Sequence, residues 1–207
     1  AYYQADADGR AGLDPPPVDD TAYAHSSAMW IAALVRAGKR LERPEWVDRA
    51  SAGLDTLLDA MAAPGDSLVH YIAAGAEPPA GLLVDLVHAA RAATAVAEAT
   101  DREDALDHAR RLVATMERTL WHDGGAFLDH PPVAEPLGAL RYRDRPFEEN
   151  ALAARLLLRL VRLAGERSYR AMAERILAVL SPLAGRYAVE GATFAMAVEE
   201  FFELRGG

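Results

Sequence analysis

Apolar residues recur along this chain at helical spacing, and the pattern predicts seven helices. The second, fourth and sixth carry a single apolar stripe, which leaves their other face in solvent. The odd-numbered runs are apolar almost all round, as in residues 29–35 and 151–158, so we expect them to be buried. The predicted helices are Thr21–Gly38, Pro44–Met61, Gly81–Ala99, Arg102–Leu120, Phe147–Leu163, Ser168–Leu183 and Gly191–Leu204.

The segments that join these helices in pairs resemble one another, which identifies a helical hairpin as the repeating unit. Glu42–Ala50, Asp101–Ala109 and Gly165–Ala173 begin 59 residues (101 minus 42) and then 64 residues (165 minus 101) apart. A tetratricopeptide array would repeat at about 34 residues, so the longer period excludes it. Inner and outer helices that alternate in such hairpins are typical of an (α/α) toroid. The predicted fold class is therefore all-α, with hairpins near 21–61, 81–120 and 147–183 and a last helix at 191–204.

Seven helices amount to about half of a six-hairpin barrel, because six hairpins contain twelve helices. We interpret residues 1–207 as a single toroid domain or fragment. The open ends of half a barrel need covering, so we expect a partner there, either the missing N-terminal part of the same parent chain or a second copy. Ala1–Gln4 resembles the end of a Gly-aromatic strand, which suggests a preceding helix; a processed or tagged N-terminus is the alternative.

Composition narrows the classes of function. The 207 residues are 51% hydrophobic and 26% charged, which is ordinary for a globular chain with a sizeable core. A net charge of -9 argues against a nucleic-acid partner. The absence of cysteine excludes disulfides, thiolate chemistry and Cys-ligated zinc within this chain. No apolar run reaches the roughly 20 residues that a membrane span needs, and nothing resembles a signal peptide, so we expect no membrane contact and a cytoplasmic protein.

Polar residues collect where the inner helices begin. The repeat offsets place Ser26, Asp85 and Glu149 at equivalent positions in the first turn of three inner helices, with Asn150 directly after Glu149. The long loops before those helices bring further polar residues to the same rim, where function usually sits. Asp85 and Glu149 are the candidate acid and base, and the candidate binding residues around them are Tyr23, His25, His70, Tyr71 and Glu148.

These candidates also have structural interpretations. Asp85 can equally be a charge paired with an arginine across the barrel. Glu148 and Glu149 can stabilise a helix start through its dipole. His88, one turn further along, is more typical of a hydrogen-bonded core residue. Pairs of histidine and carboxylate at zinc-ligand spacing are absent from the helix faces, so we predict no metal and no cofactor.

A family resemblance covers almost the whole chain. The order and spacing of several segments resemble the C-terminal helical region of YyaL-type thioredoxin-domain-containing proteins. These segments are Asp20–Tyr23 with Ala28–Met29, Leu54–Leu57, Leu68–Tyr71, Gly81–Asp85, Gly124–Phe127, Glu135–Gly138 and Arg145–Ala151. The resemblance implies a six-hairpin toroid similar to that of N-acylglucosamine 2-epimerases and related glycosidases, here without the thioredoxin domain.

The resemblance also implies a class of function. Asp85 and Asn150 match the family pattern, with Glu149 beside them, which makes Asn150 a further candidate for binding substrate. The family has Asp-Trp-Asn where this chain has His25-Ser26-Ser27, a loss of one carboxylate and one amide. The implied function is that of a sugar epimerase, isomerase or hydrolase with a small sugar as ligand. The alternative is a non-catalytic helical scaffold whose open edge docks other domains.

Overall fold

The structure is a computed structural model that describes residues 2–75, 77–136 and 138–204, apart from the side chain of Ala139. Within these residues there are eight α-helices, of which the first is a single turn and the other seven confirm the predicted helices. Their bounds are α1 Ala7–Arg10, α2 Ala24–Arg40, α3 Pro44–Ala60, α4 Leu83–Thr100, α5 Glu103–Leu120, α6 Phe147–Ala164, α7 Arg167–Leu180 and α8 Ala192–Glu203. Short 3-10 helices cover Tyr2–Gln4, Gly138–Arg141, Ser181–Arg186 and Ala188–Gly191.

Two boundaries differ from the predicted ones by three residues, each for a local reason, and the others lie within two residues of the prediction. The first long helix begins at Ala24 rather than Thr21, because Ala22 and Tyr23 are extended and pair with a later strand. The sixth predicted helix ends at Leu180 rather than Leu183. Pro182 follows, and because proline has no N–H to continue the ladder, the chain tightens there into a 3-10 turn.

Six two-residue strands stabilise the loops between hairpins. They are β1 Ala22–Tyr23, β2 Ala62–Ala63, β3 Ser67–Leu68, β4 Tyr71–Ile72, β5 Trp121–His122 and β6 Ala126–Phe127. The β2–β3 and β5–β6 hairpins lie at equivalent places in successive repeats, which confirms the repeat seen in the sequence. The third pair, β1–β4, is antiparallel with Tyr23 opposite Tyr71, and it joins the loop before α2 to the loop before α4.

The helices form a row of inner helices covered on one side by outer ones. α2, α4, α6 and α8 pack side by side in that order, while α3, α5 and α7 each pack on the preceding inner helix. α4 is apolar and buried over most of its surface, whereas α5 buries one stripe only. This alternation confirms the inner and outer assignment. That residues 1–207 form one domain stays a prediction.

Two glycines allow the tight connections within hairpins. A Cβ on Gly38 would lie 2.9 Å from Val47 Cγ2 and 3.0 Å from the carbonyl oxygen of Arg43, so α2 and α3 approach closely only because that atom is missing. Gly165 ends α6 with a φ of 68°, a left-handed conformation that glycine adopts without strain. Among the described helices, none is long and apolar enough to cross a membrane.

Candidate functional site

Asp85 is the centre of a polar cluster at the start of α4. Its side chain is fully buried, and its Oδ2 accepts a hydrogen bond from Nδ1 of His70 at 2.9 Å. Its Oδ1 accepts a hydrogen bond from the backbone N–H of His25 at 3.2 Å and lies 3.5 Å from Nδ1 of the same residue. His25 and His70, which come from separate parts of the chain, therefore both contact the carboxylate of Asp85.

The short β1–β4 ladder is what brings the two histidines together. Tyr23 pairs with Tyr71, and the backbone N–H of Ala24 donates to the carbonyl of His70 at 2.9 Å. His25 then lies in the first turn of α2, directly beside His70 in the loop. The register of these two strands fixes both imidazoles over the first turn of α4.

The two imidazoles are stacked and flanked by tyrosines. The rings of His25 and His70 are 5.4 Å apart and inclined by 10°. Tyr23 meets the edges of both at 6.0 and 5.6 Å, and the ring of Tyr71 lies 5.9 Å from that of His70. The histidine side chains are 28% and 23% exposed, so solvent or a ligand can reach them while Asp85 beneath them is sealed.

Burial controls the electrostatics of this cluster. It raises the pKa of Asp85 above the ordinary value of 3.8, against the opposing effects of the His70 hydrogen bond and of charge on His70 and His25. One turn further along α4, burial and the charge of Arg91 lower the pKa of His88 to about 4. His88 is therefore neutral at pH 7, and its Nδ1 lies 3.4 Å from a guanidinium nitrogen of Arg91.

The two glutamates in the first turn of α6 lie outside this cluster. Glu148 is exposed, and its Oε1 accepts a hydrogen bond from the Thr193 hydroxyl at 2.7 Å, which ties α6 to the start of α8. Glu149 is half-buried and is the third residue of α6, as Asp85 is of α4. Among the hydrogen bonds and ion pairs of the described residues, none involves the Glu149 carboxylate. The equivalent positions therefore have different surroundings.

Asn150 is buried and bound to the backbone. Its Oδ1 accepts from the N–H of Phe127 at 2.8 Å, and its Nδ2 donates to the carbonyls of Phe127 at 3.0 Å and Pro146 at 2.8 Å. The amide thus fixes the β5–β6 hairpin against α6. None of its polar atoms faces a space that a ligand could enter, since the residue is 0% exposed.

The same cluster has a donor set suited to a metal ion. Ligand atoms of His25, His70 and Asp85 all lie within 4.8 Å of one another, and two imidazoles with one carboxylate suit zinc or non-haem iron. Nδ1 of His25 is buried and makes no hydrogen bond within the described part of the chain. The sequence pattern missed this set because the three residues come from three segments rather than one helix face.

Comparison with solved structures identifies the fold. The chain matches a GH76 α-mannanase from Bacteroides thetaiotaomicron with a TM-score of 0.70 and 11% identity, over 94% of this chain and 56% of that one. It matches an unsaturated glucuronyl hydrolase specific for heparin with a TM-score of 0.61 and 19% identity, over 82% and 48%. For cellobiose 2-epimerase from Bacillus thermoamylovorans B4167 the values are 0.65 and 13%, over 78% and 44%.

These matches define the fold of the chain. The chain has the (α/α) toroid fold of six-hairpin glycosidases and 2-epimerases, which confirms the predicted fold class. It spans about half the length of the solved structures that it matches. No protein-family model matches the sequence, and a search of curated proteins finds no match either. At these identities the likeness concerns the fold alone, so function must be argued from the site.

Proposed function

We propose that this chain carries the proton-transfer site of a sugar-converting enzyme, of the epimerase or isomerase kind. The observation that supports it is the pair of stacked, partly exposed histidines held by the buried carboxylate of Asp85. Epimerisation next to a carbonyl requires a group that takes a proton from carbon and a group that returns one. Imidazoles serve both purposes near neutral pH.

The hydrogen bond to Asp85 assigns a role to His70. Because Nδ1–H of His70 donates to the carboxylate, Nε2 of that ring carries the lone pair and can act as the base. His25, stacked on it, is the second proton carrier, and its Nε2 lies 3.1 Å from the Ser26 hydroxyl. Asp85, predicted from sequence to be an acid or base itself, is sealed from solvent. In this proposal it is a positioning residue that fixes the ring and tautomer of His70.

The surroundings suit a sugar. Tyr23 and Tyr71 lie beside the imidazoles with partly exposed rings, and aromatic faces with polar edges pack well on sugars. A hydrolase would need two carboxylates flanking the scissile bond, and Glu149 makes no contact with the cluster, so hydrolysis is the less favoured reaction. The fold is shared with cellobiose 2-epimerase and with glycoside hydrolases alike, so the choice between the two reactions rests on the site. Membership of the YyaL-type family and a cytoplasmic location are parts of the same proposal.

Hydrogen exchange at carbon tests the proposal directly. The protein would be incubated in D₂O with reducing sugars, including mannose, glucose and cellobiose, and deuterium at C2 followed by NMR. We expect exchange with at least one of them and a loss of about 100-fold in His70→Gln, because general acid–base groups typically contribute 10²–10⁴-fold. His108→Gln is the matched control, since that imidazole lies on outer helix α5 and contacts only Arg111 among the bonds described. Exchange at an unchanged rate in His70→Gln, or none with any sugar, would refute the assignment.

One observation favours the scaffold alternative. Met29 and Trp30 on α2 are 52% and 66% exposed, an apolar surface of the kind that protein interfaces use. A docking domain would associate through this surface, so sedimentation velocity over a range of concentrations should show self-association or binding of a partner that Trp30→Ser abolishes. A monomer at every concentration, together with C2 exchange, would contradict the scaffold alternative and support the enzyme proposal.

A further inference from the structure

Two adjoining cavities open along the inner helices, away from the histidine cluster. The larger, of about 390 Å³, lies between α2 and α4, and the smaller, of about 250 Å³, lies between α4, α6 and α8. Arg91, Glu98 and Arg159 line both. The other charged residues around them are Arg36, Lys39 and Arg40 in the larger cavity, and Arg155, Arg162 and Glu200 in the smaller one.

The larger cavity is strongly basic in a chain that is acidic overall. Five of its lining residues are cationic and one, Glu98, is anionic, whereas the whole chain has 22 basic and 31 acidic residues. Glu98 is already paired with Arg159. Four cations therefore lie around this space with no carboxylate partner among the described ion pairs, namely Arg36, Lys39, Arg40 and Arg91.

The helix dipole explains only part of this set. Lys39 and Arg40 lie in the last turn of α2, where positive charge stabilises the helix end. Arg36 lies one turn earlier on the same helix, and Arg91 lies in the middle of α4. Neither of these two lies at a helix end or forms an ion pair with a carboxylate among the described residues, although the more distant charge of Glu148 partly offsets that of Arg91.

The surroundings of Arg91 disfavour its charged form. Burial and the positive charges of Arg155, Arg36 and Arg159 lower the pKa of its guanidinium to about 10. Its described hydrogen bond goes to His88, which is neutral at pH 7 and so offers a lone pair but no charge. A half-buried cation facing other cations is unfavourable unless an anion joins them. Such a cost is typical of a site shaped for a ligand.

We propose that the larger cavity is a binding site for a tetrahedral oxyanion, a phosphate or sulfate group, free or as an ester. Guanidinium groups match such oxygens with paired N–H donors, and Arg36 and Arg91 approach the cavity from two different helices. The site is independent of the proposed proton transfer. Asp85 and Arg91 are six residues apart on α4, about 9 Å along the helix axis, and no residue of the histidine cluster lines either cavity.

Calorimetric titration of the 207-residue chain tests the site. Potassium phosphate, potassium sulfate and glucose 6-phosphate would be titrated at constant ionic strength, with potassium chloride and glucose for comparison. We expect the three oxyanions to bind and chloride and glucose not to bind. Equal affinity for phosphate and its sugar ester would identify a free ion as ligand, and tighter binding of the ester would identify a sugar phosphate. Absence of binding by all three oxyanions would overturn the proposal.

Matched variants locate the binding. Arg36→Gln and Arg91→Gln should each weaken phosphate binding about tenfold, as expected for loss of one charge-assisted hydrogen bond. Arg49→Gln is the control, because Arg49 is exposed on outer helix α3 and does not line either cavity. An equal loss in the control would indicate nonspecific attraction and would contradict the assignment.

A melting experiment separates binding from folding. Because Arg91 is half-buried among other cations and forms no ion pair among the described residues, Arg91→Met should melt at the same temperature as the unmodified chain, or higher, in buffer without oxyanions. Added phosphate should then raise the melting temperature of the unmodified chain and not that of the variant. If the variant melts several degrees lower without phosphate and still responds to it, Arg91 is structural and the proposal fails. Failure of the deuterium exchange assay would leave both of these readouts untouched.

Discussion

Replacing Asn150 by alanine should destabilise the fold, because its amide binds the backbone of strand β6. Leu128 N–H donates to the carbonyl of Leu120 at 2.8 Å, so hydrogen-bonded pairs of the β5–β6 ladder flank Phe127. Because paired residues alternate in an antiparallel ladder, the N–H and C=O of Phe127 point away from β5. The Asn150 amide binds both of them, in the place that a third strand would take.

The magnitude follows from counting the groups that lose their partner. Pro146 keeps an acceptor bond in the variant, because its carbonyl also accepts from the backbone N–H of residue 150 at 3.2 Å. Phe127 loses both bonds in a buried site, and each unsatisfied buried group costs about 1–3 kcal/mol, so we expect a loss of about 2–6 kcal/mol in the free energy of unfolding. In a chain of this size that corresponds to a fall of roughly 4–24 °C in melting temperature.

Urea unfolding followed by circular dichroism measures this loss. Ser27→Ala is the matched control, because Ser27 occupies the equivalent position of α2 in the repeat and makes none of the described side-chain hydrogen bonds. It should change stability by less than about 0.5 kcal/mol, as surface substitutions do. If Asn150→Ala unfolds within 0.5 kcal/mol of the unmodified chain, the reasoning that the amide replaces a strand is refuted.

The remaining predictions concern pH and packing. The pKa of His88 is about 4 in the folded chain against 6.5 in the unfolded chain. This difference contributes roughly 3 kcal/mol to the free energy of unfolding above pH 6.5, and the contribution is lost as the pH falls towards 4. Unfolding free energies from pH 4.5 to 7.5 should therefore rise with pH, and His88→Gln should flatten the profile; an unchanged slope would contradict the reasoning. The raised pKa of Asp85 acts in the opposite direction, because its contribution is present below 3.8 and is lost as the pH rises through the folded value, so Asp85→Asn should make the rise steeper. Gly38→Ala should cost about 1–3 kcal/mol through overpacking against Val47, and an equal or higher melting temperature would show that α2 and α3 can separate freely.

The helices and their order could be predicted because the signals for them are local. Apolar periodicity distinguishes the inner helices from the outer ones, and the hairpin turns recur in the sequence itself. The same repeat correctly places Asp85 and Glu149 at the third position of α4 and α6. What it cannot supply is their surroundings, because those depend on which loop each helix start meets.

The candidate site illustrates that limit. His25 and Asp85 are 60 residues apart in sequence, and they meet only because two-residue strands with weak sequence signals pair in one register. The sequence predicts the members of the cluster and an acid–base role for Asp85, whereas our proposal gives that role to the imidazoles above it; both stay predictions. The substrate-binding role of Asn150 also stays a prediction, although the structure shows its amide bound to the backbone. A polar residue at a helix start does not reveal that a nearby strand has backbone groups left to satisfy.

The two proposed sites lie at opposite ends of one polar face of α4. Asp85, His88 and Arg91 follow one another at intervals of three residues on a helix that is otherwise largely buried and apolar. No described hydrogen bond or ion pair joins Asp85 to His88 or Arg91, so we expect that each end can be changed alone. His70→Gln should therefore lower C2 exchange about 100-fold while phosphate binds as before. Arg36→Gln should weaken phosphate binding while exchange into an uncharged sugar continues. Loss of both properties in either variant would contradict the independence of the two sites.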